Sequence, residues 1–176
     1  MKYPVRILGT IFFLISLPNL GLESLRRIKN LPSLEIELNN RRFLQVGAQR
    51  VVTQQGAFTD RTFIGDAKEA GANFSLVYHS EIRGDYVSDA RRLGKSVDEV
   101  INSEVKALLN NGMTPVICVG ETETEKKGGK TREVVKKQVL SALEGLDPKT
   151  VANIVIAYEP LWAVTRSGSG IPATPH

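Results

Sequence analysis

The sequence predicts an α/β protein in which a parallel β-sheet is wrapped by helices. Three observations predict it: short apolar runs of strand character, capped helical stretches between those runs, and polar residues placed directly after them. The runs at residues 43–48, 74–78, 114–119 and 154–158 are near-continuously apolar and do not alternate with polar residues. Strands buried on both faces have that pattern, as in a parallel sheet covered by helices. Crossovers between strands of one such sheet are strongly biased to be right-handed, which leaves a closed barrel or a doubly wound open sheet. Periodicity alone does not choose between the two.

Lys2 and Arg6 precede an apolar run at residues 7–17, a pattern resembling the first two regions of a secretory signal. No small-x-small cleavage site follows at Ser16-Leu17-Pro18-Asn19, and the run is shorter than the roughly 20 apolar residues a membrane span requires. The β-branched and aromatic content of Ile11-Phe12-Phe13-Leu14-Ile15 favours a buried strand instead. Residues 1–30 are therefore set apart as an N-terminal segment, strand or signal-like, and residues 31–176 are assigned to one α/β domain.

A weaker helix spans residues 60–70, interrupted by Gly65 and closed by Gly71. The clearest helix opens at Ser96, which has Glu99 at capping-box spacing. It presents Val97, Val100, Ile101, Val105, Leu108 and Leu109 on one face and stops near Gly112. Another opens at Thr131, turns Val134, Val135, Val139 and Leu143 inward, and ends near Gly145. Asp147-Pro148 suits a short helix with proline at its first position. The Gly/Ser/Pro-rich stretch at residues 167–175 reads as a loop.

Composition narrows the function classes. A chain of 176 residues with 41% hydrophobic and 24% charged residues has the make-up of a globular domain with a real core. The net charge of +4 comes from basic residues scattered along the chain, as in Arg26-Arg27, Arg91-Arg92 and Lys126-Lys127, and aromatics are only 6%. Solvated helix faces account for that distribution, and neither a nucleic acid nor a membrane is expected as a partner. The single cysteine, Cys118, forms no internal disulfide, which favours a reduced, cytoplasmic setting.

In either α/β architecture ligands sit at the carboxyl ends of the strands, so polar residues just after an apolar run carry the information. Gln49, His79, Glu121 and Glu159 hold such positions. An imidazole and a carboxylate delivered from different strands can polarise a carbonyl and remove a neighbouring carbon-bound proton. On position alone His79 suits a structural imidazole better, and Glu159 suits a cap or an ion-pair partner equally well. Cys118 lies inside a strand and reads as a small core residue. Gly129-Lys130-Thr131 resembles the tail of a phosphate-binding P-loop, but Thr124 stands where the upstream glycine is required.

Taken in order, these segments resemble triosephosphate isomerases. Val46-Gly47-Ala48-Gln49 is similar to the third strand of that family, and Gly56-Ala57-Phe58-Thr59 to the loop beyond, which in the family reaches into a partner subunit. His79-Ser80-Glu81-Ile82-Arg83 resembles the end of the fourth strand. The run from Pro115 through Val119-Gly120-Glu121-Thr122 resembles the fifth. Ala157-Tyr158-Glu159-Pro160-Leu161-Trp162-Ala163 resembles the sixth strand and the start of a mobile lid. The resemblance implies a partial (β/α)8 TIM barrel, roughly strands two to six. It also implies interconversion of dihydroxyacetone phosphate and glyceraldehyde 3-phosphate, a reaction shared by glycolysis and gluconeogenesis. Glu159 would be the base and neutral His79 the electrophile, with Gly170 holding the substrate phosphate through its backbone N–H. A homodimer is implied, and no metal or organic cofactor.

The sequence also departs from the family pattern. Nothing in residues 1–30 matches the Asn-x-Lys motif that ends the family's first strand, and the run at 11–17 followed by Pro18 looks more like the second. The last two strand–helix units are expected to be absent, leaving parallel edges that favour self-association. Ile82 replaces an arginine, the stretch 84–93 looks to contain an insertion before Gly94, and Lys95 stands where a glutamate is usual. Thr165-Arg166-Ser167 looks inserted in the lid. These departures keep a second reading open, a catalytically inactive barrel remnant that acts as a structural or partner-dependent fragment. A third, an unrelated nucleotide-binding module, lacks the glycine-rich turn it needs after an early strand.

Overall fold

A computed structural model describes residues 47–52 and 62–163. Its principal sheet has four parallel strands in the order β1 (Gly47–Ala48), β4 (Phe74–Val77), β5 (Thr114–Val119) and β6 (Val155–Tyr158). Two further short strands, β2 (Val51–Val52) and β3 (Thr62–Phe63), pair parallel with each other. All four expected runs thus lie in one sheet with helical crossovers between β4, β5 and β6. Of the first run, residues 43–46 lie outside the described residues, as do the N-terminal segment 1–30, the loop at 56–59 and the stretch 164–176 that holds Gly170.

β4 and β5 meet their two-sided burial. All four residues of β4 are buried, and Ile117, Cys118 and Val119 of β5 are each at most 3% exposed. β6 is only half-buried along its length, and Tyr158 at its end is 54% exposed.

The helices begin with α1 (Ile64–Glu69), which follows directly on β3. Residues 60–70 were expected to be one helix, and this is a correction: Thr62 and Phe63 pair as a strand with Val51 and Val52. Tertiary pairing decides a segment whose own helical signal is weak, and Gly65 falls in the first turn. The helix at Ser96 forms as α3 (Val97–Asn110) with both halves of the capping box in place. Val100, Ile101, Val105 and Leu108 are buried against the sheet, at about 1.5–3 kcal/mol for each such side chain. Thr131 opens α5 (Thr131–Ala142), in which Val135 and Val139 pack against the core without being fully buried. Asp147 caps α6 (Pro148–Val151) through the Lys149 N–H.

Two helices were not anticipated. The stretch expected to contain an insertion forms α2 (Arg83–Leu93), closed by Gly94 at φ 63°. Glu123–Lys127 forms α4, whose capping box is Thr122 with Glu125. Among the described residues, no helix is long and apolar enough to cross a membrane.

Candidate active site

Consecutive parallel strands deliver their last residues to one rim, and there the sequence-predicted pair meets. The β4 chain turns sharply at Tyr78, the only described non-glycine residue with positive φ (61°), and passes into His79. Glu159 follows β6, with its N–H donating to the Val119 carbonyl at 2.7 Å. His79 Nε2 lies 3.0 Å from Glu159 Oε1, and both side chains are about one-fifth exposed. They are therefore shielded but still reachable from solvent.

Ser80 completes the arrangement. Its backbone N–H donates to Glu159 Oε2 at 2.9 Å and its hydroxyl to Oε1 at 2.9 Å. Burial pushes the Glu159 carboxyl up, but the hydrogen bonds from His79 and Ser80 outweigh it and the net effect is downward. His79 moves the other way: its bond to Glu159 raises it, against a smaller lowering by burial. The Glu81 N–H approaches His79 Nδ1 at 3.4 Å and favours keeping that nitrogen as an acceptor, so a neutral ring carries its proton on Nε2. The neutral imidazole implied by the resemblance thus has the right tautomer. With Glu159 alongside, the protonated form gains relative to a free imidazole.

The other two strand-end candidates do different work. Gln49 donates to Glu81 Oε2 at 3.4 Å and stays out of the pair. Glu121 is 1% exposed and accepts from the Tyr158 hydroxyl, from the Trp162 indole N–H and from the Thr131 hydroxyl, each at 3.0–3.1 Å. Its carbonyl accepts from the Leu161 N–H at 3.0 Å. It fastens the segment after Glu159 instead of facing a substrate. Burial raises the Glu121 carboxyl, but these donors, Trp162 foremost, bring it below the ordinary value. Cys118 is buried and its thiol is pushed up to about 12, chiefly by that burial, so it is no nucleophile.

Residues that sequence reasoning did not single out hold the rim together. Arg83 donates from Nε to the Tyr78 carbonyl and from Nη1 to the Gly120 carbonyl, with its guanidinium 4.6 Å above the Tyr78 ring. Gln138 of α5 donates to the Gly120 carbonyl and accepts from its N–H. A Cβ on Gly120 would overlap the Glu159 carbonyl, so the β5 and β6 ends approach closely only because Gly120 has no side chain. Ser80 was legible through its adjacency to His79. Arg83 and Gln138 act on backbone carbonyls, for which the sequence carries no signal. Among the described residues no group of acidic, cysteine or histidine side chains is arranged to hold a metal ion.

A family model described as triosephosphate isomerase matches residues 28–176. The chain is 41% identical over 140 residues to a triosephosphate isomerase of Protochlamydia amoebophila (strain UWE25), covering 79% of this chain and 48% of that relative. It is 40% identical over 134 residues to one of Pseudomonas entomophila (strain L48), covering 75% of this chain and 49% of the relative. The chain spans about half the length of the curated relatives it matches.

Proposed function

Because the chain belongs to the triosephosphate isomerase family, a family of TIM-barrel isomerases, we propose that it interconverts dihydroxyacetone phosphate and glyceraldehyde 3-phosphate, with Glu159 as base and His79 as electrophile. The observation that carries this reading is the 3.0 Å approach of Glu159 Oε1 to His79 Nε2, two groups delivered by different strands to one rim. A three-carbon substrate entering between them meets both. The carboxylate takes a proton from the carbon beside the carbonyl, and the imidazole N–H donates a hydrogen bond to the oxygen that becomes negative. Returning the proton to the neighbouring carbon completes an aldose–ketose exchange through an enediol(ate).

The resting hydrogen bonds set the order of events. While Ser80 and His79 both donate to Glu159, its basicity is depressed. The substrate carbonyl must replace the carboxylate as acceptor for His79 Nε2–H. That exchange frees Glu159, raises its proton affinity, and removes the hydrogen bond that chiefly favoured an imidazolium. One displacement thus prepares both groups. An enediol(ate) phosphate loses its phosphate if water intrudes, so the segment after Pro160 acts as a lid, with the Gly170 N–H holding the phosphate. A homodimer and a cytoplasmic setting belong to the same reading.

A coupled assay on the purified chain tests it. Glu159→Gln is expected to lower kcat by several orders of magnitude, because the amide accepts no proton from carbon. Activity that persists unchanged in that variant would remove Glu159 from the mechanism, and a wild-type chain with no activity would refute the isomerase reading.

A further inference from the structure

The segment α2, where the sequence departs from the family pattern, is tied to the rim through one buried tyrosine. The Tyr86 side chain is fully buried, and its hydroxyl accepts from the Tyr78 backbone N–H at 3.0 Å while donating to Glu104 Oε2 at 2.6 Å. Its ring is fixed from two sides. Tyr78 packs edge-on at 5.3 Å, and the Arg50 guanidinium lies 4.3 Å above the ring centroid. Arg50 in turn pairs with Asp85 and Asp89, on either side of Tyr86 on the same helix.

Tyr78 is the residue whose backbone most needs holding. A φ of 61° is strained for a bulky L-residue, and it persists only where the surroundings over-determine it. The residue that follows is His79. Any relaxation of Tyr78 toward negative φ swings the next peptide and carries the imidazole away from Glu159.

We propose that Tyr86 is a positioning residue for His79: its hydroxyl, aligned by Glu104, holds the left-handed turn at Tyr78 that aims the imidazole at Glu159. The functional meaning rests on the isomerase reading above, but the geometric claim does not. The charged groups facing His79 are Glu159, Glu81 and Arg83, and none of them lies on the Tyr86 side chain.

The test uses Tyr86→Phe, which keeps the ring and removes the hydroxyl, and reads the His79 titration by NMR. The chain has two histidines, His79 and His176, so a His79→Gln control assigns the signals. The wild-type His79 is expected to titrate above the ordinary imidazole value, and in folded Y86F to fall back toward it as the pair loosens. In the isomerase assay kcat is expected to fall about tenfold with KM little changed, since misplacement by a fraction of an ångström acts on the chemical step. The decisive comparison is Y78G/Y86F against Y78G, because glycine adopts positive φ without strain and needs no anchor. There the hydroxyl deletion is expected to move His79 far less than it does in the wild type. Equal shifts in both backgrounds, or a folded Y86F with an unchanged titration, would overturn the proposal. If Y86F does not fold, recovery of the fold in Y78G/Y86F supports it. Failure of both to fold assigns the hydroxyl to the core alone and overturns it. A chain with no isomerase activity would sink the functional reading and leave the titration test intact.

Discussion

Glu104→Gln should change how the stability of this protein depends on pH, and the structure supplies the size of the change. Glu104 is 6% exposed, and its carboxyl is pushed from the ordinary 4.5 up to about 7. Burial is the dominant cause. The Tyr86 hydroxyl and Arg50 pull it down, and Asp89 pushes it further up. The folded protein therefore holds the Glu104 proton more tightly than the unfolded chain does. The resulting contribution is fully present below 4.5 and is lost as pH rises through about 7. At about 1.4 kcal/mol for each pH unit, the interval amounts to roughly 3 kcal/mol, a large part of the stability of a small domain. Glutamine has nearly the same shape, offers the same acceptor to Tyr86 and does not titrate. Urea denaturation of both proteins from pH 4.5 to 8 should show the wild type losing that amount relative to E104Q. Taking the difference between the two cancels the contributions of titrating groups not coupled to Glu104. A difference that stays flat across the range would refute the argument, because it would mean that Glu104 is ionised at low pH and that Arg50 compensates its burial fully.

Three further outcomes follow from the rim. Gly120→Ala places a methyl group against the Glu159 carbonyl and should separate the ends of β5 and β6. Isomerase activity is expected to fall about a hundredfold, and circular dichroism should show the fold retained. Glu121→Ala strips the buried acceptor from Trp162, Tyr158 and Thr131 and should cost about 3 kcal/mol. Trp162 is the single tryptophan, so a red-shifted emission would report its release, and an unchanged emission would show that Glu121 does not hold it. For the pair itself, Glu159 is lowered and His79 raised, so their mutual stabilisation is lost as pH falls through the folded Glu159 value and as it rises through the folded His79 value. The stability deficit of His79→Gln should therefore be largest between 4.5 and 6.5, as denaturation measured across that range would show.

The strands and the site were legible to different depths, and the reasons are physical. β4 and β5 announced themselves because parallel strands covered on both faces are near-continuously apolar, and α3 did so because a capping box and an apolar stripe agree along its length. His79 and Glu159 could be placed at one rim because strands that run in one direction end on one side. α2 was hidden by its composition. Arg83, Asp85, Asp89, Arg91 and Arg92 leave it no continuous apolar face, and it is held by the ion pairs of Arg50 and by Tyr86, which are long-range contacts. Glu104 was hidden more completely. It lies on the buried face of α3, where helical periodicity calls for an apolar residue, and partners distant in sequence, Tyr86 and Arg50, explain it.

The segment 83–93 packs beside the His79–Glu159 pair through Tyr86 and Tyr78. A polar segment next to a paired imidazole ordinarily adds backbone freedom beside it. Here α2 contributes a rigid ring clamped between Arg50 and Tyr78, and a hydroxyl that satisfies a strained N–H. The buried carboxylate of Glu104 then fixes the direction of that hydroxyl, since an acceptor at 2.6 Å leaves its lone pairs facing Tyr78. The polar groups that burial makes costly are thus the ones that define a single geometry. Replacing them with apolar side chains would remove the desolvation penalty of Glu104 and, with it, the only described contact that tells the Tyr78 N–H where to point.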